Sequence, residues 1–441
     1  MPAEPARDAG APRGADAGIA AAPPQDGAPD AAATAPEPAP APPLTLRDGL
    51  PRLTDTPEGL AGAVAGLRAG TGPIAIDTER ASGYRYGQSA YLIQARREGS
   101  ATYLIDPIAV PDLSALAEVL AGPEWILHAA SQDLPCLAEL DLRPTRLFDT
   151  ELAGRLLGMP RVGLGPMVEE VLGRSLAKGH GAADWSRRPL PESWLEYAAL
   201  DVEPLVELRE ILHHRLEEAG KLEWAEQEFA AVRDAPPPPP RIDPWRRTSG
   251  IHRVRSRRGL AIVAELWEAR DRIARETDTA PGRLLPDSSL VAAASAQPRE
   301  VGALLALKDF HGRGAVRHRK AWAGALRAAW AVPEADLPSA ANRGDGPPPP
   351  RTWAQRDPVA AARLERARAA LGARAEEVGM PVENLLTPEL VRRVMWQPPD
   401  GEPGPGEIAE VLTGMGARAW QVELTADLLA AAIVAQAAAG S

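Results

Sequence analysis

The chain is poor in cysteine and in long apolar runs, and both shortages limit the class of protein and the compartment that we expect. Cys136 is the single cysteine among 441 residues, so no disulfide can form within the chain and a reducing compartment is favoured. No apolar run approaches the length of a transmembrane helix. The N-terminus has neither the basic start nor the apolar core of a signal peptide. We therefore expect a cytoplasmic protein.

A general excess of positive charge is also missing, because the net charge is -11. Any contact with nucleic acid must then come from local basic patches. Arginine far outnumbers lysine, and alanine and proline are abundant, which is typical of GC-rich coding. Arginine content alone therefore says little about nucleic-acid binding.

Composition divides the chain into segments. Residues 1–44 contain almost no apolar bulk and are predicted to be a disordered tail. Five prolines at 236–240 and four at 347–350 indicate stiff linkers. The two segments behind the linkers are predicted to be helical, and they resemble each other at an offset near 100 residues. The predicted boundaries are 1–44, 45–234, 235–245 (linker), 246–335, 336–351 (linker) and 352–441.

Between 45 and 234 the pattern predicts strands first and then strands alternating with helices. The first helix begins at Thr56, a typical N-cap residue, and Ser131 is predicted to cap a later one. A single long helix is predicted from Ser193 to about Glu218. This order predicts an α/β domain with a mixed central sheet and flanking helices. The predicted strands are 73–78, 91–94, 101–105 and 124–128.

The first predicted buried strand ends in two acids, Asp77 and Glu79. Alternate residues of a strand share a face, so both carboxylates leave the sheet on the same side. Close like charges repel and raise each other's pKa unless a cation lies between them. A divalent cation that prefers oxygen ligands is the natural partner. Taken alone, the pair could equally be the polar start of a turn.

Three further residues complete a candidate constellation. Asp133 lies at a predicted strand-to-helix junction, and Tyr197 and Asp201 stand four residues apart, on one face of the long helix. Each has an ordinary structural explanation: a helix-dipole acid for Asp133, and a buried tyrosine beside an exposed acid for the other two. The ordered set of four acids and a tyrosine is more specific than any single member.

This set resembles the superfamily of 3′-to-5′ exonucleases named DEDD after its four acids, in the subgroup whose last motif carries tyrosine. Local stretches narrow the resemblance to ribonuclease D, and residues 256–335 resemble the HRDC domain, a small helical module shared with RecQ-type helicases. The resemblance weakens towards the C-terminus and covers about 45–437. The stretches are 127–134, 147–150, Lys178, 184–190 and 196–202.

The resemblance implies a fold, a reaction and a set of roles. It implies a ribonuclease H-like sheet domain followed by two small all-α HRDC-like domains. It also implies a metal-dependent 3′-5′ exoribonuclease that hydrolyses RNA with a free 3′ end, such as tRNA precursors, using two Mg²⁺ or Mn²⁺ ions. Asp77 would bridge both ions, Glu79 and Asp201 would hold the first, and Asp133 would help to hold the second. Tyr197 would orient the attacking water.

One position departs from the family pattern. Arg80 follows Glu79 where the family usually has an apolar or aromatic residue, so how the terminal base is held is open. Tyr84 or Tyr86 could stack on that base, or could pack within their own loop. The other candidate contacts to nucleic acid are Lys178, by family position, Arg317, Arg319 and Lys320, and the arginine-rich run 246–258, although a solvated charged surface explains the basic stretches equally well.

Two other functions remain open on the sequence. A DNA-directed exonuclease would use the same acids, because only contacts to the 2′-hydroxyl distinguish RNA from DNA. A catalytically silent scaffold that binds nucleic acid or protein belongs to a different class. The complete set of acids argues against it.

Overall fold

The computed structural model describes residues 41–177, 179–339 and 346–435, which belong to one compact unit. Most of the predicted tail lies outside these ranges. Residues 42–44, which the composition assigned to the tail, belong to the fold. Leu44 is buried, and its amide donates to the Ser175 carbonyl at 2.8 Å.

The first part of the chain forms the predicted mixed sheet with helices around it. Its six strands lie in the order β1-β4-β3-β2-β5-β6. The pairs β2–β3 and β3–β4 are antiparallel, and β1–β4, β2–β5 and β5–β6 are parallel. The strands are β1 (Leu53–Thr54), β2 (Thr71–Arg80), β3 (Ala90–Glu98), β4 (Tyr103–Ile105), β5 (Glu124–Leu127) and β6 (Arg146–Asp149).

Eight α-helices accompany the sheet in the described part of this region. As predicted, α1 begins after Thr56, whose hydroxyl accepts from the Gly59 amide at 3.1 Å. The helices are α1 (Pro57–Ala69), α2 (Ser114–Leu120), α3 (Leu134–Glu139), α4 (Thr150–Leu156), α5 (Leu164–Leu172), α6 (Glu192–Val202), α7 (Leu205–Glu218) and α8 (Leu222–Arg233).

Two details of the predicted helices were wrong. The long helix is broken into α6 and α7 at Pro204, because proline has no amide hydrogen for the helical hydrogen bond and its ring clashes with the preceding turn. Ser131 lies within a 3₁₀ turn, Ala130–Gln132, and α3 starts after Asp133. Asp133 therefore stands at the junction itself, one residue before the helix.

The two C-terminal segments are helical, as predicted. The first contains α9 (Arg257–Glu276), α10 (Pro281–Leu284), α11 (Asp287–Ala296), α12 (Val301–Leu305), α13 (Arg313–Arg317) and α14 (Arg319–Ala331). The second contains α15 (Trp353–Arg356), α16 (Pro358–Glu377), α17 (Val382–Leu385), α18 (Pro388–Trp396), α19 (Pro405–Gly414) and α20 (Ala419–Val434). None of the helices in the described ranges is long and apolar enough to cross a membrane.

The two helical segments differ in how they join the rest of the molecule. Residues of α9–α14 pack into clusters of their own. The buried residues of α15–α20 belong to the same apolar cluster as the sheet and helices α4, α7 and α8. Trp420 on α20 stacks on Trp224 of α8 at 5.1 Å between ring centroids. Its indole N–H donates to Glu228 at 3.1 Å.

Candidate active site

Strand β2 and helix α6 bring three carboxylates together. Asp77 and Glu79 leave β2 on the face that α6 covers, and Asp201 comes from α6. Carboxylate oxygens of Asp77, Glu79 and Asp201, one from each residue, all lie within 4.8 Å of one another. The alternation of side chains along β2 and the packing of α6 against the sheet thus bring the three carboxylates close together, as the spacing in the sequence predicted.

Asp133 is held beside this group from the other face of β2. The Thr78 hydroxyl donates to Asp133 Oδ1 at 2.7 Å, and the Arg80 guanidinium lies 3.6 Å from the same oxygen. Thr78 and Arg80 alternate with Asp77 and Glu79 along β2, so consecutive residues of one strand supply the acids and the groups that fix the fourth acid. Arg80 also donates to the Gln132 carbonyl. This use of Thr78 and Arg80 is not apparent from the sequence.

A bulge in the sheet accompanies this arrangement. Glu79 lies opposite Leu92 on β3, whereas Arg80 lies opposite Ala90, so Tyr91 is an extra residue on β3. A bulge re-aims side chains at the point where it occurs. Here it coincides with the step from the acid Glu79 to the cation Arg80.

The turn before Asp133 is fixed by another acid, Asp149. Its carboxylate accepts from the amides of Ala129 and Ala130 at 3.1 and 2.8 Å and also caps α4. Ala129 adopts a left-handed conformation with φ 58°, which costs a non-glycine residue free energy and needs such support. These contacts show that Asp149 shapes the junction that carries Asp133.

Burial raises the pKa of every acid in the set, and repulsion by neighbouring carboxylates adds to it for Asp77 and Glu79. For Asp77, burial and then the charges of Asp133, Asp201 and Glu79 raise the pKa well above its ordinary value. Burial and the neighbouring charges of Asp201 and Asp133 raise the pKa of Glu79 to about 9, against a lowering by Arg80. Burial raises the pKa of Asp201 to about 7. Without a compensating cation, the ionised forms of these acids are disfavoured.

Burial also raises the pKa of Asp133, although Thr78 and Arg80 act in the opposite direction. The four-acid arrangement, with its three converging oxygens, fits a hard divalent cation, because the donors are all carboxylate oxygens. Asp77, Glu79 and Asp201 are the residues that would hold such an ion directly. Asp133 lies outside this tight group but close enough to act on the charges of Asp77 and Glu79.

Tyr197 stands next to this group on α6. Burial and the charges of Asp201 and Glu79 raise the pKa of its phenol, and Asp201 accepts its hydrogen bond. The phenol therefore remains protonated and can donate. A Cβ atom on Gly179 would lie 3.0 Å from the Tyr197 ring, and the His180 ring meets it edge-on at 5.8 Å. The loop after α5 thus covers the ring and leaves the hydroxyl at the acids.

A cavity of about 500 Å³ opens from this point. Its lining joins Tyr197 and Asp201 to helix α5 and the loop that follows it. Arg161 and Glu169 form an ion pair at 3.7 Å in the lining, and Leu164 and Pro166 supply apolar surface. This cavity is not apparent from the sequence, because α5 and α6 are brought together only by the tertiary fold.

The predicted nucleic-acid contacts fall in three places. Lys178 lies outside the described residues. Arg317, Arg319 and Lys320 are exposed around the junction of α13 and α14. Tyr84 and Tyr86 face the helical segment: the Arg283 guanidinium lies 3.8 Å from the centre of the Tyr84 ring, and the Tyr86 hydroxyl donates to Asp271 at 3.1 Å.

Part of the arginine-rich run serves the local fold. Arg258 donates to the carbonyls of Ala329 and Val332 at 2.7 and 2.8 Å, at the end of α14. Arg257 donates to the Leu337 carbonyl, and Arg246 lies 4.3 Å from the centre of the Trp245 ring. The basic side chains of this run that remain exposed are Arg247, His252, Arg253, Arg255 and, despite its bond to Leu337, Arg257.

Comparison with known proteins defines the class to which this fold and site belong. Residues 51–217 match a family model described as "3'-5' exonuclease". Residues 259–326 match the HRDC domain, and residues 346–433 match a model described as "3' to 5' exonuclease C-terminal domain". The chain is thus a 3′-5′ exonuclease, a hydrolase, and the silent scaffold is set aside. The last segment is a C-terminal helical domain, and the family model that it matches differs from the HRDC model.

Curated relatives identify the family within this class. Ribonuclease D of Gluconacetobacter diazotrophicus is 34% identical over 310 residues, which cover 68% of this chain and 77% of that protein. Ribonuclease D of Shewanella sp. is 35% identical over 242 residues, which cover 54% of this chain and 62% of that protein. The chain belongs to the ribonuclease D family.

Two solved structures share the fold over nearly their whole length. A protein from Bifidobacterium adolescentis has a TM-score of 0.82 at 36% identity, covering 89% of this chain and 99% of that one. Escherichia coli RNase D, described as "an exoribonuclease involved in structured RNA processing", has a TM-score of 0.63 at 27% identity, covering 87% of this chain and 98% of that one.

Proposed function

We propose that the protein trims the 3′ ends of structured RNA, such as tRNA precursors, by two-metal hydrolysis in the cytoplasm. The observation that carries the proposal is the convergence of Asp77, Glu79 and Asp201 with Asp133 beside them. Similarity to ribonuclease D supports RNA as the substrate. The single cysteine supports a reducing compartment.

We assign the acids different tasks. Asp77 would contribute to both ion positions, because the charges of Asp133, Asp201 and Glu79 all act on it. Glu79 and Asp201 would complete the first position, and Asp133 would belong to the second. When bound there, Mg²⁺ or Mn²⁺ supplies Lewis-acid chemistry: it lowers the pKa of a bound water and neutralises charge that develops on the phosphate.

Tyr197 acts on the attacking water. Its protonated phenol lies beside Asp201, so it can hold a water molecule in line with the phosphorus atom. Holding the nucleophile in the reactive geometry lowers the barrier by removing orientational freedom before the reaction. The leaving 3′ oxygen must take up a proton, which solvent can supply at the open end of the site.

The helical domains are proposed to add affinity for RNA. Arg317, Arg319 and Lys320 are exposed and available to phosphates, and Lys178 is retained as a phosphate contact by family position. Stacking of Tyr84 or Tyr86 on a terminal base would require that the contacts to Arg283 or Asp271 give way. We propose domains at 42–234, 246–335 and 352–441, with linkers at 235–245 and 336–351; the first begins before the predicted start at 45 because Leu44 is buried.

The last domain is also proposed to repeat the HRDC layout. Helices α16, α17, α18 and α20 follow α9, α10, α11 and α14 at a nearly constant offset of about 100 residues. In the first segment α9 packs against α11 and α14. In the second segment α16 packs against α18 and α20. The duplication predicted from the sequence therefore has a counterpart in the order of the helices.

The test is digestion of a tRNA precursor labelled at the 3′ end. With Mg²⁺ or Mn²⁺ we expect labelled mononucleotide to appear, and with a chelator none. A DNA strand of the same sequence tests the DNA-directed alternative, and Asp77→Asn provides the inactive control. Intact RNA, or cleavage at internal positions, would contradict the proposal.

A further inference from the structure

Gln94 lies directly across the sheet from Asp77. The two residues are partners in the antiparallel pairing of β3 and β2. Opposite residues of such a pair leave the sheet on the same face, with Cβ atoms about 4.5–5.5 Å apart. Helix α6, which supplies Asp201 and Tyr197, covers that face. The Gln94 amide is therefore enclosed beside the acids.

The Gln94 side chain is fully buried, with 0% of its surface exposed. Among the described residues, neither its Oε1 nor its Nε2 atom has a hydrogen-bond partner. A buried polar group without a partner costs about 1–3 kcal/mol, whereas an apolar side chain of the same shape costs nothing of this kind. The amide therefore destabilises this form of the protein.

Two nearby polar groups on the same face, Arg96 and Asp201, already have partners. Arg96, two residues further along β3, bonds to Asp48 at 3.0 Å and to Thr102 at 2.8 Å, and it lies 3.3 Å from Glu203. Asp201 accepts from Tyr197. The unsatisfied amide is thus a property of the position opposite Asp77.

Asp77 has a complementary deficit. Its carboxylate is partly buried, and among the described residues its hydrogen bond comes from the backbone of Thr78. Asp133, by contrast, receives both the Thr78 hydroxyl and the Arg80 guanidinium. Carboxylates that bind metal ions are normally oriented by a hydrogen bond from a neighbouring group, and loss of that group weakens metal binding about 10- to 100-fold.

We infer that Gln94 is a positioning residue for Asp77, whose Nε2–H group donates to the Asp77 carboxylate when that carboxylate binds a divalent cation. The inference rests on the proposed metal-dependent function. It assigns Gln94 a role in metal affinity, without contact to RNA or to the reacting atoms. In the metal-bound arrangement the Asp77 carboxylate, directly across the sheet, gives the buried amide the acceptor that it lacks.

The test compares Gln94→Met with Gln421→Met in the full-length protein. Methionine keeps the length and volume of glutamine and removes both polar atoms. Gln421 is also buried, but its Oε1 accepts from the Arg418 amide at 3.0 Å and its Nε2 donates to the Asn384 carbonyl at 3.4 Å. Mn²⁺ affinity is measured by calorimetry without RNA, and thermal stability by circular dichroism.

The two variants should show opposite signatures. Gln94→Met should melt at or above the parent temperature and bind Mn²⁺ at least tenfold more weakly. Gln421→Met should melt at a lower temperature and bind Mn²⁺ like the parent. If Gln94→Met binds Mn²⁺ like the parent, or loses as much stability as Gln421→Met, the inference is wrong and the proposed function stands. If the parent itself binds no Mn²⁺, the proposed function and the inference both fail.

Discussion

Tyr197 differs from the four acids in how firmly it keeps its proton. Its phenol stays protonated because burial and the neighbouring carboxylates raise its pKa. The acids, by contrast, have raised pKa values, about 7 for Asp201 and about 9 for Glu79. A cation that binds here would displace protons from the acids and leave the phenol proton in place. On the proposed function, metal affinity and positioning of the water therefore depend on different residues.

We expect Tyr197→Phe to separate these two functions. The variant keeps the ring that packs against Gly179 and His180, so Mn²⁺ affinity should stay near that of the parent. Single-turnover cleavage should slow by about 10²-fold, the scale of a lost positioning or acid–base group. Asp77→Asn should lose both metal binding and activity.

The matched control is Tyr103→Phe, the same change on β4, beside Gly66 of α1 and outside the acidic group. It should cleave at the parent rate. If Tyr197→Phe also cleaves at the parent rate, Tyr197 is a packing residue.

The loop between β2 and β3 is held by the HRDC domain. The Tyr86 hydroxyl donates to Asp271 at 3.1 Å and accepts from Arg275 at 3.2 Å. The Tyr86 amide donates to Asp278 at 3.2 Å, and Arg283 donates to the Gly83 carbonyl at 2.8 Å. Because this loop continues directly from Glu79 and Arg80, the HRDC domain restrains one end of the strand that carries the acids.

We expect Asp271→Ala to loosen this loop. The change removes a charged acceptor from Tyr86 and the ion-pair partner of Arg275, a loss on the order of 1.5 kcal/mol. Amide hydrogen exchange in residues 81–87 should accelerate about tenfold, as peptide-resolved mass spectrometry would show. Glu276→Ala, which removes an exposed pair with Arg272 on the same helix, should leave exchange unchanged. Equal exchange in both variants would show that Tyr86 does not hold the loop.

These contacts show where prediction from the sequence succeeds and where it stops. Strand β2, its two acids and the pair on α6 were predicted, because periods of two and of about four residues are local properties. The break at Pro204 was missed, because the apolar spacing continues across it. The contact between Tyr86 and Asp271 spans 185 residues. It depends on how two domains dock, and local patterns carry no information about docking.

At the scale of the molecule, the buried apolar residues of the compact fold divide into two packing units. One joins the sheet domain to α15–α20, with Trp420 stacked on Trp224. The same interface includes Lys221, whose Nζ donates to the carbonyls of Leu156 and Gly379 at 2.7 and 3.2 Å. The other unit is the HRDC domain, with its own clusters around Trp322 and Trp245. The HRDC domain therefore depends less on the rest of the molecule for its stability than the last domain does.

We expect calorimetry to resolve two unfolding transitions. Trp420→Ala removes a residue that is 1% exposed and should destabilise the larger unit by about 3–5 kcal/mol. Trp322→Ala, an equally buried control in the HRDC domain, should shift only the smaller transition. A single transition that both variants shift equally would contradict the division into two units.

The interface between α8 and α20 also affects how the protein is made. Gln227 on α8 and Trp420 on α20 are in contact although 193 residues separate them. At a synthesis rate of about 5–20 residues per second, the ribosome needs about 10 to 40 s to travel from one to the other. All four acids and Tyr197 are synthesised before this interval begins. The apolar surface around Trp224 stays uncovered until α20 has been made. Throughout that interval the nascent chain exposes an apolar surface to chaperones and to other nascent chains, so the rate at which the 193-residue stretch from Gln227 to Trp420 is translated sets how long that surface stays exposed.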